Sequence, residues 1–411
     1  MAGAEFGWGS GGKLSAVLSA LAERSAGPLR LIGIGSGLGR PLLAAHPVET
    51  WYDLPESAGT TLDTVRQLVR SQRVTAALVV LDGPLAKALE SAGVPTVFVD
   101  SLPFLWTDGD LPDLPLDVSV YCAQRCVELP SQCRDVLDSV RSLRWVDAIV
   151  ATPSGRPRRP GSVPTTRNPA QWRGRTQAAG PPATPYRTAL INVGGLRAPR
   201  LADWSHYPRL VVPAAIQALA AEGVTEVHIA GNLPPELCAR LADASPGAPR
   251  TTAGPLPHSA FLDRLAGTDV LLTSPGLTTL LEADHLRVPT VCLPPQNLSQ
   301  VFNGRFHSRA VGAAVRTSWP EDVFTEDQAL ALRAQGEDHA LQLIYGSIAK
   351  TATGPGAGAA RRRLRDAIRD ALRTAAAHQS WGGLTSQVGT GGAAQVADAV
   401  LSLAAGARPA G

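Results

Sequence analysis

Short apolar runs alternate with helix-period segments along the first third of the chain. Residues 29–34, 76–81, 95–99 and 146–151 are continuous apolar stretches of strand length, which predicts buried strands. Between them, residues 14–24, 62–71 and 85–92 repeat their apolar positions with a helical period. Strands alternating with helices predict a parallel sheet covered on both faces. The alternation stops after residue 152, where Ser154-Gly155-Arg156-Pro157-Arg158-Arg159-Pro160-Gly161 and Gly180-Pro181-Pro182 have the composition of a linker. It resumes with predicted strands at 188–193, 226–230, 270–273 and 289–293.

After Asp327 the pattern is mostly helical. Residues 359–377 place Leu364, Ile368 and Leu372 one helical turn apart, with six arginines elsewhere, which predicts an amphipathic helix with a solvated basic face. The glycine-rich stretch 380–392 reads as a loop and 393–403 as a short last helix. The expected organisation is therefore an α/β chain of two Rossmann-type parallel-sheet units with C-terminal helices. Residues 1–152 form the first unit, 153–186 a Pro/Gly/Arg-rich linker, 187–350 the second unit and 351–411 a helical tail.

Composition narrows the class. The chain has 411 residues, 44% hydrophobic and 18% charged, which excludes a mainly disordered protein and a coiled coil. A net charge of +3 gives no reason to expect nucleic acid or an anionic membrane surface as partner. All but three of the 38 basic residues are arginines, a skew that resembles coding bias more than function. Five cysteines make no disulfide framework, and the Cys122, Cys126, Cys133 cluster matches no metal-binding spacing. No apolar run reaches the roughly 18 residues that span a bilayer, and the start lacks the features of a signal peptide, so a cytoplasmic protein is expected.

Each half carries glycines where a strand would hand over to a helix. The first run is Phe6-Gly7-Trp8-Gly9-Ser10-Gly11-Gly12-Lys13, and the second is Ile191-Asn192-Val193-Gly194-Gly195-Leu196-Arg197. Glycine lets backbone amides approach a ligand, and a helix start adds partial positive charge. The first run nearly matches the P-loop of nucleoside-triphosphate enzymes: Gly7, Gly12 and Lys13 fit, and residues 77–82 end in Asp82. The metal-holding Ser or Thr is replaced by Leu14, and Ser15 would point about 100° away on a helix. A further set, Gly33-Ile34-Gly35-Ser36-Gly37, does not keep the dinucleotide order.

The most informative stretch runs from residue 266 to 303. A strand at 270–273 leads into Ser274-Pro275-Gly276 as a tight turn, and a helix from Leu277 carries Thr278 and Thr279 in its first turn. Free amides, hydroxyls and a helix dipole at one point suit phosphate. Glu282, a turn further on, suits a ribose diol, because a carboxylate can accept from both hydroxyls. After the next strand, Gln296, Asn297 and Gln300 offer amides for sugar hydroxyls at the same sheet edge. Singly these are also what a helix cap and a polar loop need.

In this order the segment resembles the donor-binding region of GT-B glycosyltransferases, especially the enzyme that adds N-acetylglucosamine in peptidoglycan assembly. The resemblance implies diphosphate binding at Ser274, Gly276, Thr278 and Thr279, ribose at Glu282, and donor sugar at Gln296, Asn297 and Gln300. It implies further that Gly194 and Gly195 form the second-domain glycine loop and that Leu256 lies against the uracil. A narrower likeness, carried by Val99-Asp100-Ser101-Leu102-Pro103-Phe104-Leu105-Trp106 and Pro294-Pro295-Gln296-Asn297-Leu298-Ser299-Gln300, is to cytosylglucuronic acid synthases and their relatives. That family implies transfer of glucuronic acid from a UDP donor to cytosine in nucleoside natural-product biosynthesis. Peptidoglycan-type relatives carry His where Lys13 stands here, so the likeness assigns no base.

The expectation is thus an inverting, metal-independent glycosyltransferase with a UDP-sugar as co-substrate and no other cofactor, acting on a small acceptor such as a nucleobase. Gly194, Gly195, Gly276 and Arg197 would stabilise the leaving diphosphate. Gly9, Ser10, Gly11, Gly12 and Lys13 would form the acceptor-side loop. Asp82 and Asp100, each ending a predicted strand, are the candidates for base or acceptor binding, with turn capping the equal alternative. His206 and His258 are lesser candidates. Two other readings stay open: a P-loop-type phosphotransferase, and a non-catalytic UDP-sugar binder that partners another enzyme.

Overall fold

The computed structural model describes residues 1–54, 58–151, 185–195, 203–242, 248–335 and 337–406, and among them every strand pair is parallel. The amino-terminal lobe runs β1 (Ala2–Gly3), α1 (Gly9–Arg24), β2 (Leu31–Ile34), β3 (Val48–Tyr52), α2 (Ala58–Gln72), β4 (Ala77–Val80), α3 (Gly83–Ser91), β5 (Thr96–Asp100), β6 (Val120–Gln124), α4 (Ser131–Asp138) and β7 (Leu143–Val146). Its main sheet has the order β1-β4-β5-β6-β7. The pair β2-β3 extends the layer on the other side of β1, since the Ile34 amide donates to the Met1 carbonyl at 3.0 Å. The strand order therefore reverses between β1 and β4.

The carboxy-terminal lobe runs β8 (Thr188–Gly194), α5 (His206–Ala221), β9 (Glu226–Gly231), α6 (Pro235–Ala242), β10 (Arg250–Gly254), α7 (His258–Gly267), β11 (Val270–Thr273), α8 (Leu277–His285), β12 (Thr290–Cys292) and α9 (Leu298–Val311). The strand order β10-β9-β8-β11-β12 reverses between β8 and β11. Helices α10 (Glu326–Ala331), α11 (Glu337–Thr353), α12 (Ala357–Ala377), α13 (Gly383–Val388) and α14 (Gly392–Gly406) complete the chain. No helix among the described residues is long and apolar enough to cross a membrane.

The described part of the tail, residues 351–406, divides between the lobes. Leu364, Ile368 and Leu372 of α12 are fully buried against α5 in the carboxy-terminal core, each burial stabilising by about 1.5–3 kcal/mol. Part of the expected solvated basic face is used, because Arg369 and Arg373 both donate to the buried Glu222 carboxylate, at 2.5 and 2.9 Å. Helix α14 instead lies on α1, with Val396 and Ala397 in the amino-terminal core beside Leu14, Val17 and Leu21, and Arg24 paired with Asp398.

Two local expectations differ from the structure. The apolar run at 146–151 is not a strand beyond Val146: Ala148 and Ile149 are fully buried in the connection that follows β7, which explains their composition without a ladder. The expected loop at 380–392 contains α13, whose start is held by Asp284, accepting from the amides of Gly382, Leu384 and Thr385.

Candidate active site

Both reversals of strand order face one cleft. In open parallel sheets ligands bind outside the carboxyl ends of the strands at such a point. Here the segment after β1, with the start of α1, meets the ends of β8 and β11 around a cavity of about 250 Å³. The two glycine runs touch: a Cβ on Gly195 would lie 2.5 Å from the Trp8 nitrogen and 2.6 Å from the Gly7 carbonyl carbon. Thr278 reinforces this approach by donating its hydroxyl to the Gly9 carbonyl at 3.2 Å.

The turn Ser274-Pro275-Gly276 delivers α8 into the cleft with Gly276 as its N-cap in extended conformation and no side chain capping it. The first helical bond is Leu280 to Gly276, so the amides of Leu277, Thr278 and Thr279 have no partner among the described residues. Three open N–H groups and a helix dipole at one edge have the chemistry that suits an anion. Two amides expected to contribute are already used: Gly194 donates to Asn192 Oδ1 at 3.0 Å, and Gly276 donates to the Ser274 carbonyl at 2.6 Å. Asn192 also donates to Thr279 Oγ1 at 3.0 Å, which ties the end of β8 to α8. Its place as the polar residue in an otherwise apolar strand run is the feature of the sequence that marks it. Arg197 lies outside the described residues.

Glu282 lines the cleft, nearly fully buried, with its Oε1 2.7 Å from His258 Nε2. His258 is the first residue of α7 and is buried as well. Burial works against an imidazolium there, but the Glu282 carboxylate, by charge and hydrogen bond, outweighs it and raises the His258 pKa. Lys13 lines the same cleft from α1, fully buried, and its Nζ donates to Gln124 Oε1 at 2.7 Å. Burial lowers its pKa to about 7, and the Glu282 charge offsets part of that effect. Lys13 thus sits a full turn inside α1, which begins at Gly9; the glycine run starts a helix and is not a loop wrapped around phosphate.

Of the other expected residues, Gly195, Ser274, Leu256, Gln296, Asn297 and Gln300 line the cavity, as do Gly9, Ser10 and Gly12. Gly11 does not; it packs against Gly39 and Leu42. The Gln296 side chain is spent inside the protein, donating to the Val193 carbonyl and accepting from the Tyr345 hydroxyl. Asn297 Oδ1 caps α9 by accepting from the Gln300 amide, and Gln300 Oε1 accepts from the Gln296 amide. The Nδ2 of Asn297 and the Nε2 of Gln300 remain as donors without a partner among the described residues. Leu256, Phe261 and Ala230 form an apolar niche on the carboxy-terminal side.

Neither acidic candidate lines the cavity. Asp82 caps α3, accepting from the Leu85 amide at 3.1 Å. Asp100 is fully buried and accepts from the Leu102 amide, Trp106 Nε1 and the Tyr121 hydroxyl at 2.9, 2.7 and 2.9 Å. Burial raises its pKa to about 6, against the pull of those three donors. His206 pairs with Asp203. The amino-terminal wall is aromatic and aliphatic: Phe6, Trp8, Leu42, Leu102, Leu105 and Trp106.

No protein-family model matches the chain, and no curated protein matches it in sequence. Solved structures do match in fold. A Staphylococcus aureus MnaA solved with UDP superposes with a TM-score of 0.50 at 12% identity, covering 96% of this chain and 92% of that one. The fold is GT-B. Two further GT-B matches are Os79 from O. sativa in complex with UDP and MurG of Acinetobacter baumannii. The first has a TM-score of 0.49 and 14% identity over 96% of this chain and 97% of that one. The second has a TM-score of 0.45 and 15% identity over 98% of each chain.

Proposed function

We propose that this GT-B protein is a glycosyltransferase that moves a sugar from a UDP-sugar to a small planar acceptor, with inversion and without a metal. The observation that carries the reading is the junction of three open α8 amides with the Lys13, His258 and Glu282 cluster in one interlobe cavity. The amides of Leu277, Thr278 and Thr279 would hold the diphosphate and stabilise the charge that develops as it leaves. Leu256 and Phe261 would take the uracil, Glu282 the ribose, and the open amides of Asn297 and Gln300 the sugar hydroxyls. The MnaA structure of the same fold was solved with UDP, which supports a uridine nucleotide as the ligand class.

Lys13 is the base in this reading. A buried amine with a pKa of about 7 is partly neutral near physiological pH and can take a proton there. The acceptor loses its N–H or O–H proton to Lys13 Nζ as its nitrogen or oxygen bonds to the anomeric carbon. The bond from that carbon to the diphosphate oxygen breaks on the opposite face, and UDP departs with the electron pair. Trp8 and Trp106 offer flat surfaces for a ring-shaped acceptor. Within this class we favour glucuronic acid as the sugar and cytosine as the acceptor, as the likeness to cytosylglucuronic acid synthases implies, in nucleoside natural-product biosynthesis. Calorimetry with UDP, followed by mass spectrometry of reactions holding UDP-glucuronic acid or UDP-glucose with cytosine, tests it. Absence of heat with UDP would remove the donor site, whereas binding without any transfer would leave a non-catalytic UDP-sugar binder.

A further inference from the structure

Residues 101–106 belong to the amino-terminal lobe but are fastened to the other one. From β5, Asp100 holds the segment through the Leu102 amide and Trp106 Nε1. From the carboxy-terminal lobe, Arg333, just after α10, donates to the carbonyls of Phe104, Leu105 and Trp106 at 2.8, 3.1 and 3.4 Å, and to Cys133 Sγ at 3.1 Å. Phe104 is fully buried between Phe302 and Phe306 of α9, with ring centroids 5.8 and 5.2 Å away. The Arg333 guanidinium also lies over Phe302 at 5.3 Å. The same segment presents Leu102, Leu105 and Trp106 to the cleft.

We propose that Arg333 is a positioning residue, a clasp that completes the acceptor wall only when the two lobes are together. A planar guanidinium offers five donors in a fixed fork that can gather successive carbonyls, a geometry that the three donors of a compact ammonium reproduce only in part. Phe104 supplies the apolar half of the clasp, since its ring partners Phe302 and Phe306 are both on α9. Opening the cleft would withdraw Phe104 from Phe302 and Phe306 and strip the Phe104 and Leu105 carbonyls of Arg333, leaving the segment to Asp100 and to Cys133, whose Sγ donates to the Trp106 carbonyl at 3.2 Å. Donor capture by the carboxy-terminal lobe would thereby favour an ordered acceptor wall on the opposite lobe. The proposal rests on the assignment of the two sides of the cleft made above.

Hydrogen exchange on the full chain, with and without UDP, tests it in the wild type, R333A and R333K. In R333A, exchange at residues 102–106 should rise about tenfold or more, while affinity for UDP stays within about twofold. In the wild type UDP should slow exchange at 102–106; R333A should lose that coupling and R333K keep part of it. Slow, UDP-coupled exchange in an R333A protein that binds UDP normally would overturn the clasp. Should R333A fail to fold, R333K decides, and wild-type exchange in R333K overturns the proposal. If UDP binds neither protein, the donor reading fails by itself, and the basal exchange difference at 102–106 still decides the clasp.

Discussion

His258 Nε2 and Glu282 Oε1 lie 2.7 Å apart on the cleft floor, and the two side chains are nearly fully withdrawn from water. The first turn of α7 and the second turn of α8 thus meet through a buried ion pair, an arrangement that is costly to break from one side. Removing one partner of such a pair typically costs about 3–5 kcal/mol, because the other charge stays buried. The pair also has a definite pH signature. His258 is raised above the ordinary 6.5, so its contribution to stability is full below that value and is lost as pH rises through the raised one. Glu282→Gln removes the charge that outweighs burial, so the His258 pKa should fall below the ordinary histidine range. Proton NMR titration of the His258 ring measures it; a histidine still titrating high in the variant contradicts the pairing.

Lys13 predicts the opposite trend. Its amine is lowered from 10.5 to about 7, so over that interval the unfolded chain binds a proton that the folded one does not. Stability attributable to Lys13 therefore rises with pH from about 7 to 10.5 and is absent below it. Denaturant unfolding of the wild type and Lys13→Met across this range should show the wild type gaining relative to the variant as pH increases. If Lys13 is also the base, the variant loses about 10²–10⁴-fold in transfer rate while its affinity for UDP holds.

The turn at Ser274–Gly276 and the helix beyond it were legible because their chemistry is local: a strand, a Pro-Gly turn and a helix start need only neighbours in sequence. The same holds for β8, β9, β11 and β12, whose runs are mostly apolar, but not for β10, whose Arg250-Thr251-Thr252-Ala253-Gly254 carries no apolar run and pairs only at the sheet edge. Strand β6 was not legible because Tyr121 and Gln124 make it look polar, yet it is fully buried. Tyr121 donates to Asp100 and Gln124 accepts from Lys13, partners that only the folded chain provides. Asp100 misled for the same reason: a carboxylate at a strand end is either chemical or structural, and three donors brought from elsewhere decide it here. The engagement of Glu282 with His258 depends on the packing of α7 on α8, which no local spacing reveals.

Leu277→Pro isolates one amide of the proposed diphosphate site. Proline is tolerated at the first helical position, where its missing N–H breaks no helical bond. Gly276 before it is already in the extended conformation, with φ −68° and ψ 130°, that a residue preceding proline requires. The variant should fold and melt near the wild type, yet lose a charge-assisted hydrogen bond worth about 1.5–3 kcal/mol, or about 10–100-fold in UDP affinity. Calorimetry on the two proteins checks this. Equal affinities would move the phosphate away from α8.

Gly195→Ala tests the contact between the two glycine runs. The added methyl group would sit 2.5 Å from the Trp8 nitrogen and 2.6 Å from the Gly7 carbonyl carbon, both backbone atoms that cannot turn aside as a side chain would. The strain is relieved by separating the lobes at this point, which also lengthens the Thr278 to Gly9 hydrogen bond. The lobes should therefore stand further apart in the variant, with a larger radius of gyration in solution scattering and faster exchange at the start of α1. The α8 amides proposed to hold the diphosphate stay in place, so UDP should still bind, whereas a reaction needing Lys13 beside the donor should slow by about 10²-fold, as misplacement by an ångström does. A variant with unchanged scattering and full transfer would mean that the loops need not touch for the chemistry.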